Sequence, residues 1–314
     1  MLAAAADGID EVKVNLRSVI VISVLSVVYL LLSIFLVGFK SDEVVLVAIF
    51  NVLFYASSIT RKFILGFSIF IVYWIVFDYM KAFPNYKFNT VHIADVYHFE
   101  KHIFGIHEGN KILTPNEYWL IHSKTWMDIV CGLFYLCWIP VPLGFATYLF
   151  FTRKKEFLYF ALTFFTVNLL GFVVYYTFPA APPWYVQLHG FNFIAHTPGN
   201  TGGLARFDAY FHSEVFKSIY AKGSNVFAAM PSLHSAYPII VLYYAIKNRV
   251  KVGSFFFVIV VLGIWFTAVY ASHHYVIDVL AGIVCAIAGI SLFNFIAKFN
   301  PVNSFLNRYA KIIS

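Results

Sequence analysis

The feature that most constrains this 314-residue sequence is a succession of long apolar runs that carry almost no charge. Ser18–Phe39 is one such run. A bilayer core of roughly 30 Å needs about 20 apolar residues per helix. Val44–Thr60 and Phe63–Phe77 flank the pair Arg61-Lys62, and Ile129–Thr152 and Phe157–Phe178 flank Arg153-Lys154-Lys155. A shorter run extends from about Pro231 to Lys247, followed by Val252–Ala271 and by a last run from about Tyr275 to Ala297. The pattern predicts an all-α, polytopic membrane protein with about eight transmembrane helices. Composition excludes the alternatives. Only 12% of residues are charged and 61% are hydrophobic, whereas a soluble domain carries about 25% charged residues. A soluble enzyme and a disordered chain both fail that test.

An even number of spans puts both termini on one side. With the N-terminus inside, the short connections and tails on that side hold Lys13, Arg17, Arg61, Lys62, Arg153, Lys154, Lys155, Lys247, Arg249, Lys251, Lys298, Arg308 and Lys311. These are most of the 22 basic residues, as the positive-inside rule requires. The net charge of +7 is thereby explained by topology and gives no reason to expect a nucleic-acid partner. All 11 histidines fall on the outside half, so any histidine chemistry belongs there. Met1–Asp10 has neither a basic region nor an apolar core, so no cleavable signal peptide is expected. Cys131, Cys137 and Cys285 lie in apolar runs and form no C-x-x-C pair, so they read as small hydrophobes.

Three stretches follow. Residues 1–80 form a tail and three spans. Residues 81–125 form a non-cytoplasmic loop, in which Ile93, Val96, Tyr97, Ile103 and Phe104 have the spacing of an interfacial amphipathic helix. Residues 126–314 form a helical core that includes a Pro-, Gly- and aromatic-rich lid loop over 179–230. Connections of such length are usually functional.

Two short strings stand at helix starts on the same side: Ala229-Met230-Pro231-Ser232-Leu233-His234-Ser235 and Ser272-His273-His274-Tyr275-Val276-Ile277-Asp278. A helix N-terminus offers free N–H groups to a phosphate. His274 and Asp278 are four apart and so share a helix face. The carboxylate can then accept the Nδ1–H of the imidazole, leaving Nε2 free as nucleophile or base. His234 can supply the complementary acid. The set points to phosphoryl transfer through a phosphohistidine.

Pro-Ser-x-His followed about 40 residues later by His-x-x-x-Asp resembles the second and third motifs of the type 2 phosphatidic acid phosphatase superfamily. The fuller strings are more similar to one branch, the inositol phosphorylceramide synthases targeted by aureobasidin. Phe178-Pro179-Ala180-Ala181-Pro182-Pro183-Trp184 and Gly202-Gly203-Leu204-Ala205-Arg206-Phe207-Asp208 resemble that branch as well. The resemblance covers roughly Val130 to Ala297. It implies a six-helix core extended by N-terminal helices, and transfer of phosphoinositol from phosphatidylinositol to the primary hydroxyl of a ceramide, releasing diacylglycerol. It also implies no metal or other cofactor, and membrane lipids as partners. The catalytic set would be His234, His274 and Asp278. The superfamily's Lys-x6-Arg-Pro motif is absent, and Ala268 stands where its third motif has arginine, so the phosphate clamp must come from elsewhere. Arg206 is the first candidate for it, because guanidinium binds phosphate in bidentate fashion. The bland reading is an arginine paired with Asp208. Asp208, Lys222, Ser232 and His273 complete the candidate substrate-binding set, His273 more as a neighbour than as a ligand.

His98 and His102, spaced i,i+4, could join His92 or His107 around a metal, although an interfacial helix surface accounts for them better. Pro182, Pro183, Trp184 and Tyr185 line a headgroup site or seat the loop at the interface. Asp78 and Asp128 read as solvated helix ends, and Asn168 as packing glue. Two other functions compete: a lipid phosphatase with water as acceptor, and a transporter, which the near absence of mid-span ionisable residues disfavours.

Overall fold

A computed structural model describes residues 15–223 and 225–314; the tail Met1–Asp10 lies outside the described residues. The chain begins with α1 (Leu16–Val37), α2 (Ser41–Ala56) and α3 (Ser58–Tyr79). They run up, down and up. Ser33 and Tyr79 meet through their hydroxyls (2.9 Å) near one end, and Ile22, Phe54 and Ile64 cluster near the other. Sequence reasoning puts the break between the second and third spans at Arg61-Lys62. The helices instead break at Ser57, whose side chain and Thr60 cap each other reciprocally. A paired N-cap is a stronger local stop than two basic residues, which a first turn tolerates.

The first outer loop then forms α4 (Ala94–Phe104), a short hairpin of β1 (Ile106–Glu108) antiparallel to β2 (Lys111–Leu113), and α5 (Pro115–Ile121). Helix α4 covers the stretch read as an interfacial helix, but its expected apolar face is split, with Ile93 and Val96 buried and Ile103 exposed. It buries Val96 and Glu100 against the protein and leaves Phe99 and Ile103 exposed.

The expected span Ile129–Thr152 is two helices, α6 (Thr125–Leu136) and α7 (Pro140–Thr152). Pro140 has no N–H to continue the ladder, so the helix is interrupted there. It is followed by α8 (Lys154–Thr177), the lid-loop helices α9 (Pro183–His189), α10 (Ala205–Tyr210) and α11 (Val215–Ala221), then α12 (Leu233–Lys247), α13 (Lys251–Tyr270), α14 (Val276–Ile296) and a terminal α15 (Asn300–Ile312). Helix α15 was not foreseen. It lies beside α3 with Leu306 buried and the Tyr309 hydroxyl on the Leu65 carbonyl (2.7 Å).

Among the described residues, six segments are long and apolar enough to cross a membrane: α1, α3 with its short extension, α6–α7 together, α8, α13 and α14. The other two expected spans, α2 and α12, have 16 and 15 residues and rise only about 22–24 Å at 1.5 Å per residue. The core is aromatic, with Phe67, Phe70, Phe157, Phe160, Phe164 and Tyr244 interlocked between α3, α8 and α12. In lipid this packing works through van der Waals contact, and small residues permit close approach. Gly282 is one: a Cβ there would fall 2.2 Å from the Ser232 carbonyl oxygen, so glycine lets α14 press against the start of α12. Asn168 ties α8 to α12 by accepting the Tyr237 hydroxyl at 2.6 Å.

The basic connections gather at one end of the bundle, where Arg153 donates to Asn248 and Lys247 pairs with Glu156. Both long loops gather at the other end. A backbone ladder stitches them together: His92 N–H to the Pro179 carbonyl (2.8 Å), Ala181 N–H to His92 (2.9 Å), Ala180 N–H to Phe227 (2.9 Å) and Ala229 N–H to Ala180 (3.3 Å).

Candidate active site

The two histidine strings meet at the loop-bearing end. Ser232 is the N-cap of α12, its hydroxyl accepting from the Ser235 N–H (3.3 Å) and the Ser235 hydroxyl (3.0 Å). His234 follows in the first turn. The Ser232 N–H donates to the Asp278 carbonyl (2.9 Å), which locks the first turns of α12 and α14 together. As a result His234 Nδ1 and His274 Nε2 lie 3.1 Å apart.

His274 sits one residue before the N-cap Tyr275, not on the helix face that sequence spacing suggests. Its Nδ1 donates to the Ala229 carbonyl at 3.0 Å and lies 3.7 Å from Asp278 Oδ2. The expected direct hydrogen bond to the carboxylate is therefore replaced by one to a backbone carbonyl. The reason is local. Asp278 Oδ2 is already engaged by the Tyr275 N–H at 2.8 Å in the capping of α14. Asp278 is fully shielded, and its Oδ1 makes no hydrogen bond within the protein. With Nδ1 carrying the proton, Nε2 presents its lone pair, and His234 Nδ1–H points at it. Burial holds the His274 ring down to about 4, so Nε2 is unprotonated at neutral pH and its lone pair accepts from His234.

His273 points elsewhere. Its ring stacks on Tyr220 (4.4 Å between centroids) and on Tyr135 (5.5 Å), and its Nε2 meets the Thr201 carbonyl at 2.8 Å. Burial and the neighbouring imidazoles push it well below its ordinary value. It forms part of a cavity wall as a neutral, clamped ring.

That cavity, about 290 Å³, begins at His234, His273 and His274 and runs along Trp138, Tyr237, Tyr73, Phe77 and Trp74. Trp184, Pro182, Asn200 and Lys222 line it on the loop side. Most of its wall is apolar, as a lipid-chain site requires. Trp184, expected either to line a headgroup site or to seat the loop, belongs to the wall.

Of the candidate phosphate ligands, Lys222 lines the cavity and holds Asp42 of α2 at 2.6 Å. Arg206 does not line it. Its Nε is committed to Asp128 (2.6 Å), which also accepts from the Tyr270 hydroxyl (2.8 Å). The alternative pairing of Arg206 with Asp208 does not form, because Asp208 instead caps α11 through the N–H groups of Phe216 (3.2 Å) and Lys217 (3.0 Å). Asp128 is thus a buried ion-pair partner, not a solvated helix end. Asp78 likewise pairs with Lys81 and Lys40. Ser232 serves the helix cap. Ala268, where the superfamily has arginine, is fully buried, and its carbonyl receives the N–H groups of both His273 and His274 (3.0 Å each).

Among the described residues no group of three His, Cys, Asp or Glu is placed to hold a metal ion. His92 engages Asp95, and His98 packs on Phe191 (5.4 Å).

Residues 112–292 match the sequence profile of the PAP2 superfamily. The chain belongs to that superfamily. Over 301 residues it is 42% identical to the phosphoinositol dihydroceramide synthase of Bacteroides thetaiotaomicron, covering 95% of this chain and 98% of that one. It is 31% identical over 182 residues to the inositol phosphorylceramide synthase of Candida albicans, covering 54% of this chain and 37% of that protein. It is 34% identical over 119 residues to the catalytic subunit AUR1 of Saccharomyces cerevisiae, covering 37% of this chain and 29% of that protein. The fungal matches therefore concern about a third of those proteins, whereas the bacterial one is full-length. No solved structure matches the chain. Within the superfamily the chain falls in the inositol phosphorylceramide synthase branch. Sequence reasoning missed Glu100 and Asn116, two buried residues that hold the site's backbone.

Proposed function

We propose that this integral membrane protein is a phosphotransferase that moves phosphoinositol from phosphatidylinositol to the primary hydroxyl of a ceramide, the dihydro form included. The observation that carries the reading is the pair of imidazoles 3.1 Å apart at the head of an apolar cavity. The relatives' names and the two motifs support the same chemistry. The concentration of basic residues at the opposite end of the bundle supports a site on the non-cytoplasmic face. That face is the Golgi lumen in a eukaryote and the periplasmic side of the inner membrane in a bacterium.

The donor's phosphodiester enters between the two rings, and its negative charge holds a proton on His234. His274 Nε2 attacks phosphorus in line. The bond from phosphorus to the diacylglycerol oxygen breaks, and that oxygen leaves with the electron pair and takes the His234 proton. The phosphorylated His274 ring is cationic. The Ala229 carbonyl and the Asp278 carboxylate, 3.7 Å away, stabilise that charge. The ceramide hydroxyl then attacks phosphorus, His234 receives its proton, and the nitrogen–phosphorus bond breaks. Lys222 at the cavity wall is the cation we assign to the headgroup phosphate, exchanging Asp42 for it. Arg206, held by Asp128, is assigned to framework.

A phosphatase reading uses the same nucleophile with water as the second acceptor. One experiment separates the two. Purified protein is incubated with inositol-labelled phosphatidylinositol, with and without ceramide. Labelled phosphoinositol ceramide forming only with ceramide is the expected result. Free inositol phosphate released equally fast in both tubes would establish the phosphatase.

A further inference from the structure

Three side chains of the first outer loop, Asn85, Glu100 and Asn116, are completely shielded from solvent. Each of them makes two hydrogen bonds to backbone that carries the site. Asn85 Nδ2 donates to the carbonyls of Tyr175 (2.9 Å) and Phe227 (2.8 Å). Asn116 Nδ2 donates to the carbonyls of Val269 (2.8 Å) and His274 (2.9 Å). Glu100 accepts the N–H groups of Val276 (2.9 Å) and Ile277 (3.2 Å).

The first turn of a helix leaves its N–H groups without intrahelical partners. In α14, Asp278 satisfies only the Tyr275 N–H. The next two are satisfied by a carboxylate that arrives from 176 residues earlier in the chain. Burial lifts that acid to about 7, and a buried charge is a poor device for stability alone. Its geometric effect is specific. Asn116 grips the His274 carbonyl and Glu100 grips the two N–H groups just beyond Tyr275, so the segment His274–Asp278 is fastened from both sides.

We propose that Glu100 and Asn116 are positioning residues for the transfer reaction, fixing the His274–Asp278 segment so that Nε2 of His274 faces the cavity at attack distance. This rests on the phosphohistidine reading above. Glu100 lies outside residues 112–292, so the superfamily's shared region does not contain it. A displacement of about 1 Å at a reacting atom costs on the order of a hundred-fold in rate.

The test compares full-length wild type, Glu100→Ala, Glu100→Gln and Asn116→Ala in detergent with phosphatidylinositol and ceramide. It measures kcat, KM for both lipids and the thermal unfolding midpoint. The expected result is a kcat lower by about a hundred-fold in Glu100→Ala, with KM near wild type. Glu100→Gln, which keeps one acceptor oxygen, should fall between. Wild-type kcat in both alanine variants would overturn the role. So would losses that track a falling unfolding midpoint and are the same for glutamine as for alanine, because the residues would then be purely architectural. A wild type that releases no diacylglycerol overturns the functional reading, and this role with it. An active wild type matched by its variants overturns this role alone.

Discussion

The two helix starts that carry the histidines solve one problem in different ways. At α12 the cap is local: Ser232 satisfies Ser235 three residues on. At α14 the local cap is partial, and the loop helix α4 completes it with Glu100. The locally capped end carries the half-buried His234, assigned to proton transfer, and the remotely capped end carries the buried His274, assigned to bond formation. A proton donor tolerates small displacement because a hydrogen bond adjusts. A nucleophile does not, and the more heavily braced ring is the one whose position matters more.

That contrast can be broken in order of size. Replacing the nucleophile, His274→Gln, should lower kcat on the order of 10⁴-fold or more and abolish an acid-labile phosphoenzyme trapped from labelled donor. A labelled phosphoenzyme persisting in that variant would move the nucleophile elsewhere. His234→Ala should cost about 10²–10⁴-fold in kcat, the range of general acid–base help, while still forming some phosphoenzyme. Near-normal turnover would remove it from the acid role.

A smaller effect is expected from pH. Burial lowers His274 to about 4, so its lone pair persists as pH falls through the ordinary histidine value of about 6.5. The acidic limb of kcat/KM attributable to this ring should therefore lie well below 6.5, since that parameter reports the free enzyme. A limb centred at 6.5 that vanishes in His274→Gln would show an ordinary, exposed imidazole. The smallest effect is expected from Ser232→Ala, which removes the local cap and should cost about 1 kcal/mol of stability. It should show in the thermal midpoint and reduce kcat less than His234→Ala does. A greater kcat loss than that would make the two caps equivalent.

The comparison also marks what could be read from sequence. Apolar runs gave six spans of crossing length out of the eight expected, basic clusters gave the common end, and the two histidine strings gave a pair whose rings the structure brings to 3.1 Å. These signals are local or periodic. The acceptor of the His274 ring is a backbone carbonyl at Ala229, and carbonyls carry no residue-type signature. Glu100 and Asn116 carry no sequence signal, because the backbone groups they bind lie 176 and 158 residues away in the chain. Arg206 does not pair with the nearest acid in sequence, Asp208, because sequence proximity does not fix proximity in space. Asp128 is nearest, across 78 residues. The break between α6 and α7 was readable from Pro140 but was hidden by the continuous hydrophobicity around it.

The ladder through His92, Ala180 and Phe227 ends at Ala229, whose carbonyl steadies the reactive imidazole. These backbone bonds join both outer loops into one roof over the helices beneath. Lifting that roof would break the Ala180–Phe227 and Ala229–Ala180 hydrogen bonds, which adjoin the carbonyl that holds the His274 ring. On the flank of the cavity beneath that roof, Trp74 both lines the wall and stays exposed, so the apolar chamber reaches the side of the bundle as well as its top.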